Sequence, residues 1–183
     1  MLHRSIRNFA AIAAGLVLLA VPIRAATLYV NAPAPDFSAR TFDGKDVNLA
    51  DYKGQVLIIN FWATWCGPCK EELPLLDRYY RAANERKYGL RVLAITTEDS
   101  LPIQQLRPLA AKVSFDMARS FHGDYGALKG VPTNFVIDRA GILRYAKAGA
   151  FDLESLNDIL VPLLQEPVLP ENSPLRGASA RTN

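Results

Sequence analysis

Cys66 and Cys69 are the only cysteines among 183 residues, and they stand within Trp65-Cys66-Gly67-Pro68-Cys69. Two thiols at that spacing can close into one disulfide or open to a dithiol, so the chemistry they suggest is thiol–disulfide exchange. The pair follows directly on Val56-Leu57-Ile58-Ile59-Asn60-Phe61-Trp62, an apolar run that reads as a buried strand. A strand that ends there and turns into a helix sets the first sulfur at the helix N-terminus. Free backbone N–H groups and the positive end of the macrodipole favour an anion at that place. Cys66 is therefore expected to be an exposed nucleophile with a pKa below the unperturbed value of about 8.5. Pro68 suits the first helical turn, where its missing N–H costs nothing, and Gly67 lets a partner backbone approach. Cys69, one turn in, is expected behind Cys66 as the thiol that resolves a mixed disulfide.

Two plainer uses of the pair are weaker. A structural disulfide closing a loop of about four residues would stabilise the chain by roughly 2 kcal/mol, against about 4.7 for a 100-residue loop. A zinc site needs two more ligands, and the only histidines are His3, in a removable segment, and His122. No metal and no cofactor is expected.

The helix that begins at the pair brings a third residue into view. At about 100° per residue from Cys69, Leu73, Leu76, Tyr80 and Ala83 form an apolar stripe, with Glu72 at its margin near 300° on the side of Cys69. Glu71 points away. Glu72 either snorkels to solvent or is a partly buried carboxyl group of raised pKa that exchanges a proton with Cys69. Trp65 is either a flat contact beside Cys66 or part of the core.

The elements that position these residues read as an α/β domain. Two alternating segments flank Asp43-Gly44 between Phe37 and Leu49, the signal of a hairpin. Val56–Trp62 and Arg91–Thr96 read as central strands covered on both faces. Phe135–Asp138 and Ile142–Tyr145 read as an antiparallel pair across a short turn. Asp152 is a cap for a last helix bearing Leu153, Leu156, Ile159, Leu160 and Leu163, with Pro162 expected to kink or fray its final turn. Ser100 to Val113 reads as a short or kinked helix interrupted by Pro108, and Phe115 to Lys129 as a brief strand followed by a short helix. Pro74 is expected to kink the helix after Cys66 without ending it.

The stretch Asn60-Phe61-Trp62-Ala63-Thr64-Trp65-Cys66-Gly67-Pro68-Cys69-Lys70-Glu71-Glu72-Leu73-Pro74 resembles the thioredoxin superfamily. Gly130-Val131-Pro132-Thr133 and Phe135-Val136-Ile137-Asp138 share in that resemblance. With the lead-in Ala32-Pro33-Ala34-Pro35-Asp36-Phe37, the chain is similar more narrowly to extracytoplasmic TlpA/ResA-like thiol-disulfide reductases. The resemblance implies a thioredoxin-like fold over residues 32–166, a central mixed sheet flanked by helices with an N-terminal β-hairpin extension. It also implies a cis bond before Pro132, facing the dithiol and leaving the backbone of Val131 free to pair with an extended substrate. Related reductases carry a glutamate at the position of Glu72. Cytosolic thioredoxins have an aspartate at the position of Asn60, which accepts no proton here, so Glu72 is its natural substitute.

The two ends of the chain bear on compartment. Arg4 and Arg7 precede an apolar stretch from Phe9 to Ile23, which reads as an export signal over residues 1–25, cleaved near Ala25 or kept as an anchor. No cysteine follows the stretch, which excludes a lipoprotein anchor. The formal net charge of +3 is carried by Arg4, Arg7 and Arg24 of that segment, so the rest is neutral and the basic balance gives no argument for nucleic acid. Residues 167–183 read as a disordered tail. The expected protein is a periplasmic or otherwise extracytoplasmic disulfide reductase. The resemblance implies a membrane thiol reductant as electron donor and exported disulfide-containing proteins as clients, apocytochrome c among them. An oxidase or isomerase is the alternative. A peroxiredoxin-like peroxidase is another, and there the residue three before the reactive cysteine is threonine where this chain has Ala63. A copper carrier would have only two sulfurs as ligands.

Overall fold

The computed structural model describes residues 28–167. The segment 1–25 read as an export signal lies outside the described residues, as does the tail beyond Pro167.

The interior strand β3 (Val56–Trp62) is buried at all seven positions. It pairs in parallel with β4 (Leu90–Thr96), which pairs in parallel with β5 (Asp116–Gly123). On its other side β3 is antiparallel to β6 (Thr133–Ile137), and β6 to β7 (Leu143–Ala148). The hairpin β1 (Phe37–Thr41) and β2 (Asp46–Asn48) turns at Gly44, whose φ of +91° a side chain would strain. Its first strand adds antiparallel to β5, which completes the order β2-β1-β5-β4-β3-β6-β7.

Because β3 alternates between two buried faces, the sequence shows an unbroken apolar run rather than an alternation. Val56, Ile58 and Trp62 belong to one core cluster, Leu57, Ile59 and Phe61 to the other. The first cluster takes in the apolar residues of all three helices: α1 (Gly67–Glu85), α2 (Ile103–Ala110) and α3 (Leu153–Gln165). The second face carries none of them. It is closed by a short 3₁₀ turn at Leu49–Tyr52, by the loop around Tyr125 and by the lead-in segment. That segment begins on the far edge, where Asn31 N–H donates to the Leu143 carbonyl and Leu143 N–H to that of Ala32. It then crosses over Leu57 and Ile137 to enter β1.

Several elements differ from the expectations. Phe115 to Lys129 holds no helix; β5 is eight residues long, and its register against β1 slips between Ser38↔His122 and Arg40↔Arg119. The extra residue is a bulge with Ser120 at φ +57°, and it breaks the alternation by which a strand is recognised. Pro162 does not fray α3, which continues to Gln165; it sits in the last turn, where a single lost hydrogen bond ends little. Leu153 is 57% exposed, because the capping box of Asp152 and Ser155 fixes the helix start and turns its first residue outward. Pro74 lies within α1, which runs on to Glu85.

Candidate active site

The C-terminal end of β3 delivers Cys66 to the N-cap of α1 in extended conformation, with Pro68 in the first turn. Cys66 and Cys69 are joined in a disulfide. The Cys69 N–H donates to Cys66 Sγ at 3.2 Å. That N–H is one of the donors a helix start leaves unpaired, and on reduction it would stabilise a Cys66 thiolate. The Val131 carbonyl oxygen lies 3.5 Å from Cys66 Sγ, a contact to which only the reduced thiol could donate a proton. Val131 precedes Pro132 through a cis bond, as the resemblance implies.

Cys66 was expected to be exposed, and it is not. Cys66 is 3% exposed and Cys69 fully buried. The helix start and the Val131 carbonyl pack against the first sulfur, which leaves little of it open in the oxidised state. Trp65, next to it in the chain, is 70% exposed and so is not part of the core. Thr64, one residue earlier, donates its backbone N–H and its hydroxyl to the two carboxylate oxygens of Glu98, the latter at 2.9 Å, and this clamps the turn into the motif.

Glu72 lies on the Cys69 side of α1, one helical turn on, and is 1% exposed, so it does not snorkel. Its Oε2 accepts from Asn60 Nδ2 at 2.8 Å; its Oε1 accepts from Asn134 Nδ2 at 2.7 Å and from the Phe151 N–H at 2.6 Å. Burial pushes the carboxyl group above the usual range, and these N–H groups pull part of the way back. No charged partner contributes. Tyr145 on β7 is the titratable group that feels it: burial, then the charge of Glu72, raises the phenol pKa.

Asn134 was missed by the sequence reading. It faces Asn60 directly across the β3–β6 ladder, and Asn60 Nδ2 donates to its Oδ1 at 2.8 Å. Its signal is a lone amide in a strand otherwise fit for burial; Asn60 was marked by the resemblance, and Asn134 was not. Glu98 and the backbone of Gly149 and Phe151 carry no such mark. Among the described residues no cluster of His, Cys, Asp and Glu could hold a metal.

A Cys-Gly-Pro-Cys pair at the N-terminus of the first helix, opposite a cis-proline and backed by a buried carboxyl group, defines a thiol-disulfide oxidoreductase of thioredoxin-like fold. Residues 30–146 match the AhpC/TSA family, and the chain belongs to it. ResA, a thiol-disulfide oxidoreductase of Geobacillus thermodenitrificans, is 30% identical over 135 residues, 72% of this chain and 76% of that protein. The thioredoxin-like protein YneN of Bacillus subtilis is 28% identical over 135 residues, 69% of this chain and 76% of its own length. Among solved structures, a putative thiol:disulfide interchange protein DsbE from Chlorobium tepidum superposes with a TM-score of 0.62 at 28% identity, covering 75% of this chain and 99% of that one.

Proposed function

We propose that this protein is an extracytoplasmic protein-disulfide reductase, in which Cys66 is the nucleophile, Cys69 the resolving thiol and Glu72 the acceptor of its proton. The observation that carries the reading is Glu72, a buried carboxyl group one turn from Cys69 with N–H donors and no cation around it. In the reduced protein the Cys66 thiolate attacks a client disulfide. A bond forms between Cys66 Sγ and one client sulfur, and the other client sulfur leaves as a thiolate and takes up a proton. Cys69 gives its proton to Glu72 and attacks Cys66 Sγ, so the internal disulfide forms, the Cys66–client bond breaks, and the second client sulfur departs as a thiolate that takes up a proton from solvent. The client gains two electrons and two protons, and a membrane thiol reductant returns the protein to the dithiol.

Trp65, Val131 and Pro132 form the client contact. An exposed aromatic residue sits next to the attacking Cys66, and the backbone of Val131 suits pairing with an extended client segment. The basic, apolar N-terminal segment supports export, with exported disulfide proteins, apocytochrome c among them, as clients. The Gly-Pro dipeptide supports the reducing direction over oxidase or isomerase. A peroxidase reading is disfavoured: Ala63 stands three residues before Cys66, and the hydroxyl of Thr64 is committed to Glu98.

Equilibration of the purified protein with defined thiol–disulfide buffers tests the direction. A potential near that of thioredoxin, about −270 mV, is expected. A value near about −120 mV, that of a strong disulfide donor, would make it an oxidase.

A further inference from the structure

We propose that Asn134 is a positioning residue that couples the proton on Glu72 to the backbone edge where the client is held, so that proton uptake loosens that edge. The inference rests on the reading of Glu72 as proton acceptor and goes beyond it. The two hydrogens of Asn134 Nδ2 are divided between Glu72 Oε1, at 2.7 Å, and the carbonyl oxygen of Gly149, at 3.1 Å. Gly149 in turn donates its N–H to the Pro132 carbonyl at 2.8 Å, and the carbonyl of neighbouring Val131 lies against Cys66 Sγ. One buried amide therefore links the carboxyl group to Gly149 and, through the Gly149 N–H, to the Val131-Pro132 loop that lies against the first sulfur.

The coupling has two states because a carboxyl group changes from pure acceptor to donor when it takes a proton. Ionised Glu72 suits the arrangement present: three N–H groups converge on it, in charge-assisted bonds roughly twice as strong as neutral ones. Neutral Glu72 must donate, and every group facing it is a donor. The acceptor at hand is Asn60 Oδ1, a buried oxygen without a hydrogen-bond partner, on the same amide that now donates to Glu72. Turning that amide brings Oδ1 to the carboxyl group and withdraws Nδ2 from Asn134 Oδ1, which it now holds at 2.8 Å. Asn134 then loses the bond to its Oδ1 and keeps only a weaker, neutral one to Glu72 Oε1, so the donor to the Gly149 carbonyl is less firmly fixed. Glu72 takes its proton as Cys69 closes the disulfide, the moment at which the reduced client has to leave.

The groups packed around Glu72 keep the test clean. Asn60 comes from β3, Asn134 from β6, Tyr145 from β7, Phe151 from the turn before α3 and Cys69 from α1 itself. In the oxidised protein the sulfurs do not titrate, and the phenol of Tyr145 titrates above its usual value.

The experiment is an NMR pH titration of the oxidised full chain, following the Glu72 carboxyl carbon, the Asn134 side-chain amide and the Gly149 amide. All three are expected to shift with one midpoint. A Gly149 amide that stays flat while Glu72 titrates overturns the coupling and leaves the proton-acceptor reading standing. Steady-state reduction of insulin by the protein, with dithiothreitol in excess as the reductant, supplies a second readout. The wild-type KM is expected to rise several-fold as pH falls through the Glu72 midpoint. In Asn134→Ala it is expected to be high throughout and independent of that midpoint, while kcat keeps its pH dependence. A pH-dependent KM persisting in Asn134→Ala overturns the proposal. A kcat profile unchanged by Glu72→Gln removes the reading beneath it and the proposal with it. Should Asn134→Ala fail to fold, the wild-type titration decides alone.

Discussion

The two faces of the sheet solve opposite problems with the same strands. Towards the helices, β3 and β6 present Asn60 and Asn134, and Glu72 from α1 meets them in a region without solvent. Towards the other side, the same strands present Phe61 and Phe135, which pack edge to face at 5.9 Å and join Phe121 and Tyr125 in an aromatic cluster. The first face carries buried polar atoms whose desolvation costs free energy unless every one is bonded. The second gains burial and aromatic packing with few polar atoms, the Tyr125 hydroxyl donating to the Pro35 carbonyl and the buried Tyr52 hydroxyl finding no partner. What the difference teaches is that reactivity and stability are separated across a layer one strand thick, so substitutions on the two faces should have different signatures.

The largest effect expected belongs to the sulfurs. Cys66→Ser should abolish disulfide exchange, and Cys69→Ser should accumulate mixed disulfides through Cys66, read on non-reducing gels. Equal trapping by both variants would reverse their order. On the aromatic face, Phe61→Ala should cost about 3–5 kcal/mol in urea unfolding of the oxidised protein, as large-to-small core changes do. Its exchange rate per folded molecule should keep the wild-type pH profile, and a changed profile would break the separation of the faces.

Glu72→Gln should slow exchange by about 10²-fold, the lower end for a general acid–base group, while the exposed Glu71→Gln should change nothing. Because Glu72 accepts the proton only when ionised, the wild-type rate should rise with pH through its raised pKa, and stopped-flow rates should show that rise missing in Glu72→Gln. The smallest effect is on stability against pH. A carboxyl group whose folded pKa lies above its unfolded value binds more protons when folded. The contribution of Glu72 to the stability of the oxidised protein should therefore be greatest below the unfolded pKa, fall as pH climbs to the folded pKa, and level off beyond it. Urea midpoints across that window should slope in wild type and flatten in Glu72→Gln.

Much of this architecture was legible in the residues. β3, β4, the first hairpin, the β6–β7 pair and the capped last helix each follow a local rule, either an apolar run, a turn signal or a cap. Cys66, Cys69 and the place of Glu72 on the Cys69 side of the helix follow from spacing, while the burial of Glu72 does not. What escaped is set by partners distant in sequence. The length of β5 comes from its neighbours β4 and β1, with the bulge at Ser120 hiding the alternation. The enclosure of Cys66 comes from Val131, 65 residues further on. Asn134 becomes meaningful only once the β3–β6 register sets it opposite Asn60.

The lead-in segment has a consequence for how the chain reaches this structure. Residues 31–34 lie on the start of β7, and a few residues later β1 lies on β5, so one short stretch fastens both ends of the five strands between. Asn31 finds its partner at Leu143 and Ser38 finds its own at His122, separations that make loop closure slow. A chain emerging N-terminus first through a narrow channel holds those residues unpaired until most of its length is through. Topology thus makes the first segment to emerge among the last to settle.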